Sequence, residues 1–130
     1  MLGAPRSGTS FLGRCVGALP DVSYHHEPVA TKASARFVYD GTWSFETGAF
    51  FYRAVYRWLL RIHLEGDLVF AEKTPRNCFL VDFLRDAFPG ARFLHIIRDG
   101  RDVALSYSEK PWLSSRSLED PKERREPGGY

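Results

Sequence analysis

From Gly3 to Ser10 the chain reads Gly-Ala-Pro-Arg-Ser-Gly-Thr-Ser, two glycines bracketing four residues. This is the frame of a phosphate-binding loop. Such a loop turns successive backbone N–H groups toward one point and hands over to a helix whose positive end favours an anion. The position after Gly8 holds Thr9, where a nucleoside triphosphatase carries Lys, and Arg6 within the loop can supply the missing cationic side chain. Thr9 and Ser10 can donate hydroxyls to the same anion. The same octapeptide also fits a plain capping turn with Ser7 or Thr9 as N-cap.

Three further groups stand where apolar runs end. Lys73 follows Leu-Val-Phe-Ala-Glu, Arg98 follows Phe-Leu-His-Ile-Ile, and His25, His26 and Glu27 sit side by side before Pro28. In an open parallel sheet, ligands bind beyond the carboxyl ends of the strands, which makes Lys73 and Arg98 candidates for the same cleft. Each has a plainer alternative: Lys73 as a solvated lysine beside Glu72, Arg98 as a surface residue paired with Asp99 or Asp102. Mg²⁺-dependent phosphoryl transfer uses a loop Lys and a strand-end Asp. The first is missing, and Asp99 is the remaining metal-site acid, so a P-loop nucleotide kinase stands as a second reading. A third is an anion-binding piece without activity.

The elements that must carry these residues follow from periodicity. Phe11, Leu12, Cys15, Val16 and Leu19 recur at helical spacing until Pro20 and Asp21, and residues 22–26 form a short extended stretch. Residues 29–42 are mixed and receive no assignment. An amphipathic helix runs from about 45 to 63, with Phe51, Val55, Trp58 and Leu59 on one face and Arg53, Arg57 and Arg61 between them, and Gly66-Asp67 ends it. Residues 68–71 read as a buried strand, 79–88 as a helix closed by Pro89-Gly90, 92–97 as a second strand with His95 packed inside, and 102–108 as a helix. Strand, helix, strand, helix predicts an α/β fold, a parallel sheet flanked by helices.

At 130 residues the chain is one domain, and 44% hydrophobic with 26% charged residues is ordinary globular composition. A net charge of +2 is too small to imply nucleic acid or a membrane surface. No secretion signal or apolar span is visible, which favours the cytoplasm, and the two cysteines, Cys15 and Cys78, match no metal spacing and read as buried thiols.

Three segments together resemble the sulfotransferases that use 3′-phosphoadenosine 5′-phosphosulfate (PAPS): the loop Gly3 to Ser10, the strand-end Glu72-Lys73-Thr74-Pro75, and the run from Arg92 to Ser106, with an Arg at a strand end and a Ser eight positions later. The Glu-Lys-Thr-Pro segment is similar to the tyrosylprotein and bacterial branches. The resemblance implies that Arg6, Ser7, Gly8, Thr9 and Ser10 cradle the 5′-phosphosulfate, and that Arg98 and Ser106 bind the 3′-phosphate. It implies that Lys73 approaches the oxygen bridging sulfur and phosphorus. It makes Glu27 the general base, with His25 and His26 as the other candidates. The acceptor is then a hydroxyl on a small molecule, carbohydrate or tyrosine, and no metal is expected. Set against the family pattern, residues 1–113 form a partial donor-binding core lacking the strand before Gly3 and the helices after the 3′-phosphate segment, and residues 114–130 a polar tail.

Overall fold

The computed structural model describes residues 1–62 and 68–109, and the chain divides into two compact units, Met1–Ile97 and Arg98–Tyr130. In the first unit, helix α1 (Thr9–Gly17) leaves the glycine-rich turn and β1 (Val22–His26) follows. Helices α2 (Val29–Tyr39) and α3 (Phe45–Ile62) lead to β2 (Val69–Lys73), a 3-10 turn (Pro75–Phe79) and α4 (Val81–Ala87). The described part of the second unit carries α5 (Gly100–Ser108). β1 and β2 pair in parallel, Val22 opposite Val69 and His26 opposite Lys73. Parallel pairing needs a long crossover, which α2 and α3 supply. The fold is α/β, as the alternation of elements predicts.

Helix α1 lies close against β1 because its inner positions are small. A Cβ on Gly17 would stand 2.8 Å from that of Tyr24, and one on Gly13 would collide with the Tyr24 ring. The core is built by α3 and α4 around Tyr52, Tyr56, Leu80 and Leu84, joined by Phe70 from β2 and by Ala35 and Val38 from α2. Tyr56 packs on Phe70 and Phe88 at ring separations of 4.3 and 5.1 Å. Tyr52 is fully buried and donates its hydroxyl to the Thr31 carbonyl at 3.0 Å. Buried tyrosines need such a partner, and this one ties α3 to α2.

Several expectations change. Residues 29–42, left unassigned, hold α2, a helix whose own apolar pattern is weak but whose Ala35 and Val38 are covered by α3. Tertiary packing overrides a poor local signal here. The strand expected at 92–97 is reduced to one bridge, Leu2 with His95, made by Leu2 N–H to the Leu94 carbonyl (2.8 Å) and Ile96 N–H to the Leu2 carbonyl (3.1 Å). Among the described residues only Leu2 lies alongside to pair with it, and a ladder is no longer than its partner. His95 is exposed rather than packed. Cys15 and Cys78 are exposed, not buried. Cys15 sits two residues from Gly13, on the outer side of α1, and Cys78 lies in the 3-10 turn. The helix expected from residue 79 begins at Val81, because the bonds Asn77 N–H to Thr74 and Leu80 N–H to Asn77 tighten the preceding turn. The predicted stop at Gly66-Asp67 and the tail 114–130 lie outside the described residues. No helix among the described residues is long and apolar enough to cross a membrane.

Candidate active site

The turn before α1 is anchored by Leu2 and has no room for side chains at its first glycine. A Cβ on Gly3 would lie 2.7 Å from the Ile96 carbonyl oxygen. Ser7 N–H closes the turn on the Ala4 carbonyl at 3.1 Å. Arg6 and Gly8 both adopt left-handed backbone, at φ 70° and 94°. For a non-glycine residue such as Arg6 this costs on the order of 1 kcal/mol and persists only where the surroundings impose it. Gly8 occupies the N-cap place, and no side chain caps the first-turn amides of α1. The capping turn with Ser7 or Thr9 as N-cap is therefore not what forms. Ser7 and Thr9 are buried under the turn, while Arg6 and Ser10 are exposed at its surface. Backbone donors converge at a helix N-terminus with a guanidinium and a hydroxyl beside them, a set of donors that matches a tetrahedral anion.

At the ends of β1 and β2 the structure brings together two residues distant in sequence. Glu27 N–H donates to the Lys73 carbonyl at 2.9 Å, extending the ladder by one residue. The Lys73 ammonium, with a side chain only 3% exposed, lies 2.7 Å from Glu27 Oε1. Lys32, in the first turn of α2, reaches Oε2 of the same carboxylate at 2.9 Å. Glu27 is itself in left-handed backbone, φ 46°. Burial alone would push the Glu27 carboxyl up, but hydrogen bonds from Lys73 and Lys32 and their charges outweigh it and bring it down to about 2. The group is a carboxylate at any working pH, held between two ammonium ions. Lys73 is thus neither solvated nor the partner of Glu72.

Glu72 turns to other partners. It accepts from Tyr56 Oη and, at 2.6 Å, from Thr74 Oγ1, and its carbonyl accepts from the Met1 ammonium at 2.5 Å. Burial, with the Glu72 charge second, pushes the Tyr56 hydroxyl far above its ordinary value, so it stays a donor. The two neighbouring histidines differ. His25 is buried, bonded through Nε2 to Ser23 Oγ at 2.9 Å and stacked on Phe70 at 4.9 Å. His26 is exposed, with Nε2 3.8 Å from Glu27 Oε1.

The remaining predicted residues belong to the second unit. Arg98 Nε lies 3.7 Å from Asp102 Oδ2, with Arg98 42% exposed. Asp99 caps α5, accepting from Arg101 N–H at 2.9 Å and from its guanidinium at 2.6 Å. Asp102 and Ser106 stand four apart on one face of α5, Arg98 precedes the N-cap Asp99, and Ser106 is half-buried.

Lys32 was missed by the sequence reading, although Glu-Pro followed by a Lys four residues on is a legible helix start. The Tyr56–Glu72–Thr74 network left no signal, since nothing in a helical spacing says which strand residue a tyrosine will meet. Among the described residues no three His, Cys, Asp or Glu side chains gather as a metal site would need.

No curated protein and no solved structure is significantly similar to the chain. A family model described as "Sulfotransferase family" matches residues 1–118, nearly the whole sequence, and includes both the loop and the Glu27–Lys73 pair. The chain belongs to the sulfotransferase family.

Proposed function

We propose that the chain moves a sulfuryl group from PAPS to a hydroxyl acceptor, with Glu27 as general base and Lys73 as the cation at the leaving group. The observation that carries this reading is the buried Lys73 ammonium 2.7 Å from Glu27, at the carboxyl ends of the paired strands β1 and β2. PAPS supplies an activated sulfuryl group on a 5′-phosphate. Two sets of residues suit parts of such a donor: in the first unit the Arg6–Ser10 turn offers backbone amides, Arg6 and the Ser10 hydroxyl to an anion, and in the second unit Arg98 and Ser106 offer a cation and a hydroxyl for a 3′-phosphate.

Lys73 and Glu27 do complementary work. As the acceptor oxygen bonds to sulfur and the sulfur–oxygen bond to the phosphate breaks, negative charge grows on the phosphate and the acceptor proton becomes acidic. Lys73 stabilises the first, and Glu27 takes the second. At about 2, Glu27 is a weak base while both lysines hold it. Moving Lys73 from Glu27 toward the leaving oxygen removes one of those cations and raises the proton affinity of the carboxylate at the stage that needs it. The acceptor, whether carbohydrate, tyrosine or small alcohol, enters on the Glu27 side of the pair.

Titration calorimetry with the desulfated product, adenosine 3′,5′-bisphosphate, tests the donor assignment. Saturable binding is expected, weakened by roughly 10- to 100-fold in Arg6→Ala and in Arg98→Ala, as loss of a charge-assisted hydrogen bond implies. Unchanged affinity in both variants overturns it.

A further inference from the structure

The two ammonium ions on Glu27 are carried by different elements and grip different oxygens. Lys73 reaches Oε1 from the end of β2 at 2.7 Å, and Lys32 reaches Oε2 from the first turn of α2 at 2.9 Å. That turn is fastened at several points. Lys32 N–H donates to the Pro28 carbonyl at 2.9 Å, and Thr31 Oγ1 donates to the same carbonyl at 3.2 Å. The Thr31 carbonyl accepts from the buried Tyr52 hydroxyl at 3.0 Å and from Ser34 Oγ at 3.1 Å. Thr31 is buried, so the start of α2 is pinned to α3 and Lys32 projects from a fixed backbone. Glu27 lies between strand and helix in left-handed backbone, a conformation that the surroundings must impose on a residue with a side chain. The bond from Lys32, reaching back five residues from the helix, is one of those restraints.

We propose that Lys32 is a positioning residue for proton transfer, holding Oε2 of Glu27 so that Oε1 stays aimed at the acceptor hydroxyl when Lys73 turns to the leaving group. This role rests on Glu27 as the base and Lys73 as the leaving-group cation. The acceptor oxygen bonds to sulfur, the sulfur–oxygen bond to the phosphate breaks with its electron pair going to the phosphate, and the acceptor proton passes to Oε1. A carboxylate let go by Lys73 with no second hold regains side-chain freedom at the moment it has to be in place. A cation on the far oxygen keeps the orientation and leaves the near oxygen open to accept. It also limits how far the proton affinity of the carboxyl rises once Lys73 has left, so the base is not spent on a solvent proton beforehand. Around Glu27 stand Lys73 from β2, Lys32 from α2, and His26 and Tyr24 from β1, while Arg14 of α1 acts on Tyr24. Replacing Lys32 removes the grip on Oε2 without touching Lys73.

Two measurements on Lys32→Met, Lys32→Gln and Lys32→Arg test this in the full chain. The first needs no donor: the carbon-13 resonance of the Glu27 carboxyl, assigned by its loss in Glu27→Gln, is followed from pH 7 to pH 3. The unaltered carboxyl, at about 2, barely titrates in that range. Lys32→Met should titrate about one pH unit higher, and Lys32→Arg should return it. The second is the pH profile of sulfuryl transfer, with whichever of phenol, N-acetyltyrosinamide and N-acetylglucosamine accepts the group. In Lys32→Met the plateau kcat should fall about tenfold, the donor KM should stay within about twofold, and the acid limb should rise by about one pH unit. Lys32→Arg should restore all three, and Lys32→Gln should keep part of kcat but not the limb. Damage to the fold alone would lower kcat at every pH and leave the limb in place, which overturns the proposal. A Lys32→Met protein with carboxyl titration and limb both unmoved, beside an inactive Glu27→Gln, overturns the role of Lys32 and leaves Glu27 as the base. A carboxyl that moves while the limb stays, or transfer to none of the three acceptors, overturns the reading beneath it and the inference together.

Discussion

Glu27→Gln isolates the charge that balances a buried lysine. The substitution keeps the shape of the side chain and an oxygen to accept from Lys73, but leaves an ammonium that is 3% exposed facing a neutral amide. Breaking a buried pair from one side costs about 3–5 kcal/mol in the general case. Glu27 is 18% exposed and an accepting oxygen survives, so the expected loss at neutral pH is about 2 kcal/mol. The pH dependence gives a sharper signature. With the folded carboxyl at about 2 against an ordinary 4.5, the unfolded chain binds the proton first as pH falls. The Glu27 contribution is therefore complete above about pH 5 and is lost as pH drops toward 2. The full linkage would amount to about 3 kcal/mol, reduced to about 1–2 kcal/mol by solvent screening. Urea unfolding of both proteins from pH 7 to pH 3, followed by tryptophan fluorescence, should show the gap between them narrowing as pH falls. Lys73→Met in the Glu27→Gln background should recover part of the loss, with a coupling of about 1–2 kcal/mol. A gap that stays constant across the pH range, together with zero coupling, would refute the reasoning.

Gly8→Ala places a Cβ 3.3 Å from Ile96 Cδ1 in backbone that L-residues avoid, and should cost about 1–2 kcal/mol by thermal or urea unfolding while weakening product binding in calorimetry. Tyr56→Phe removes a donor to Glu72 and should destabilise by about 1–3 kcal/mol, with affinity for adenosine 3′,5′-bisphosphate unchanged. In a sulfuryl-transfer assay Glu27→Gln should lower kcat by about 10²- to 10⁴-fold with donor affinity within a few-fold, whereas His26→Asn should retain most activity. The reverse ranking would move the base to His26.

The sequence was most legible where local chemistry is self-sufficient. Gly3 and Gly8 are needed by the turn itself, whichever fold surrounds it, and the heavy apolar stripe of α3 identifies a helix without knowledge of its neighbours. α2 was opaque because Ala35 and Val38 are small and its stability comes from α3. The segment at 92–97 has the composition of a strand, but strandedness belongs to a pair, and among the described residues it pairs with Leu2 alone. The same division runs through the site. Glu27 and Lys73 could each be nominated from position at a strand end, yet that they are bonded to one another, and that Lys32 shares the carboxylate, follows from the β1–β2 register and the entry angle of α2.

The Leu2 bridge has a thermodynamic consequence for the turn that hangs from it. Two backbone hydrogen bonds fix the start of the turn against residues 94–96. Opening of that bridge and loosening of the anion cradle are then one event, readable as the exchange rate of the Leu2 and Ile96 amides. Whatever stabilises Met1 and Leu2 in their line lowers the ordering cost of filling the cradle. By reciprocity an anion in the cradle must strengthen the bridge by the same factor, and slow the exchange of both amides.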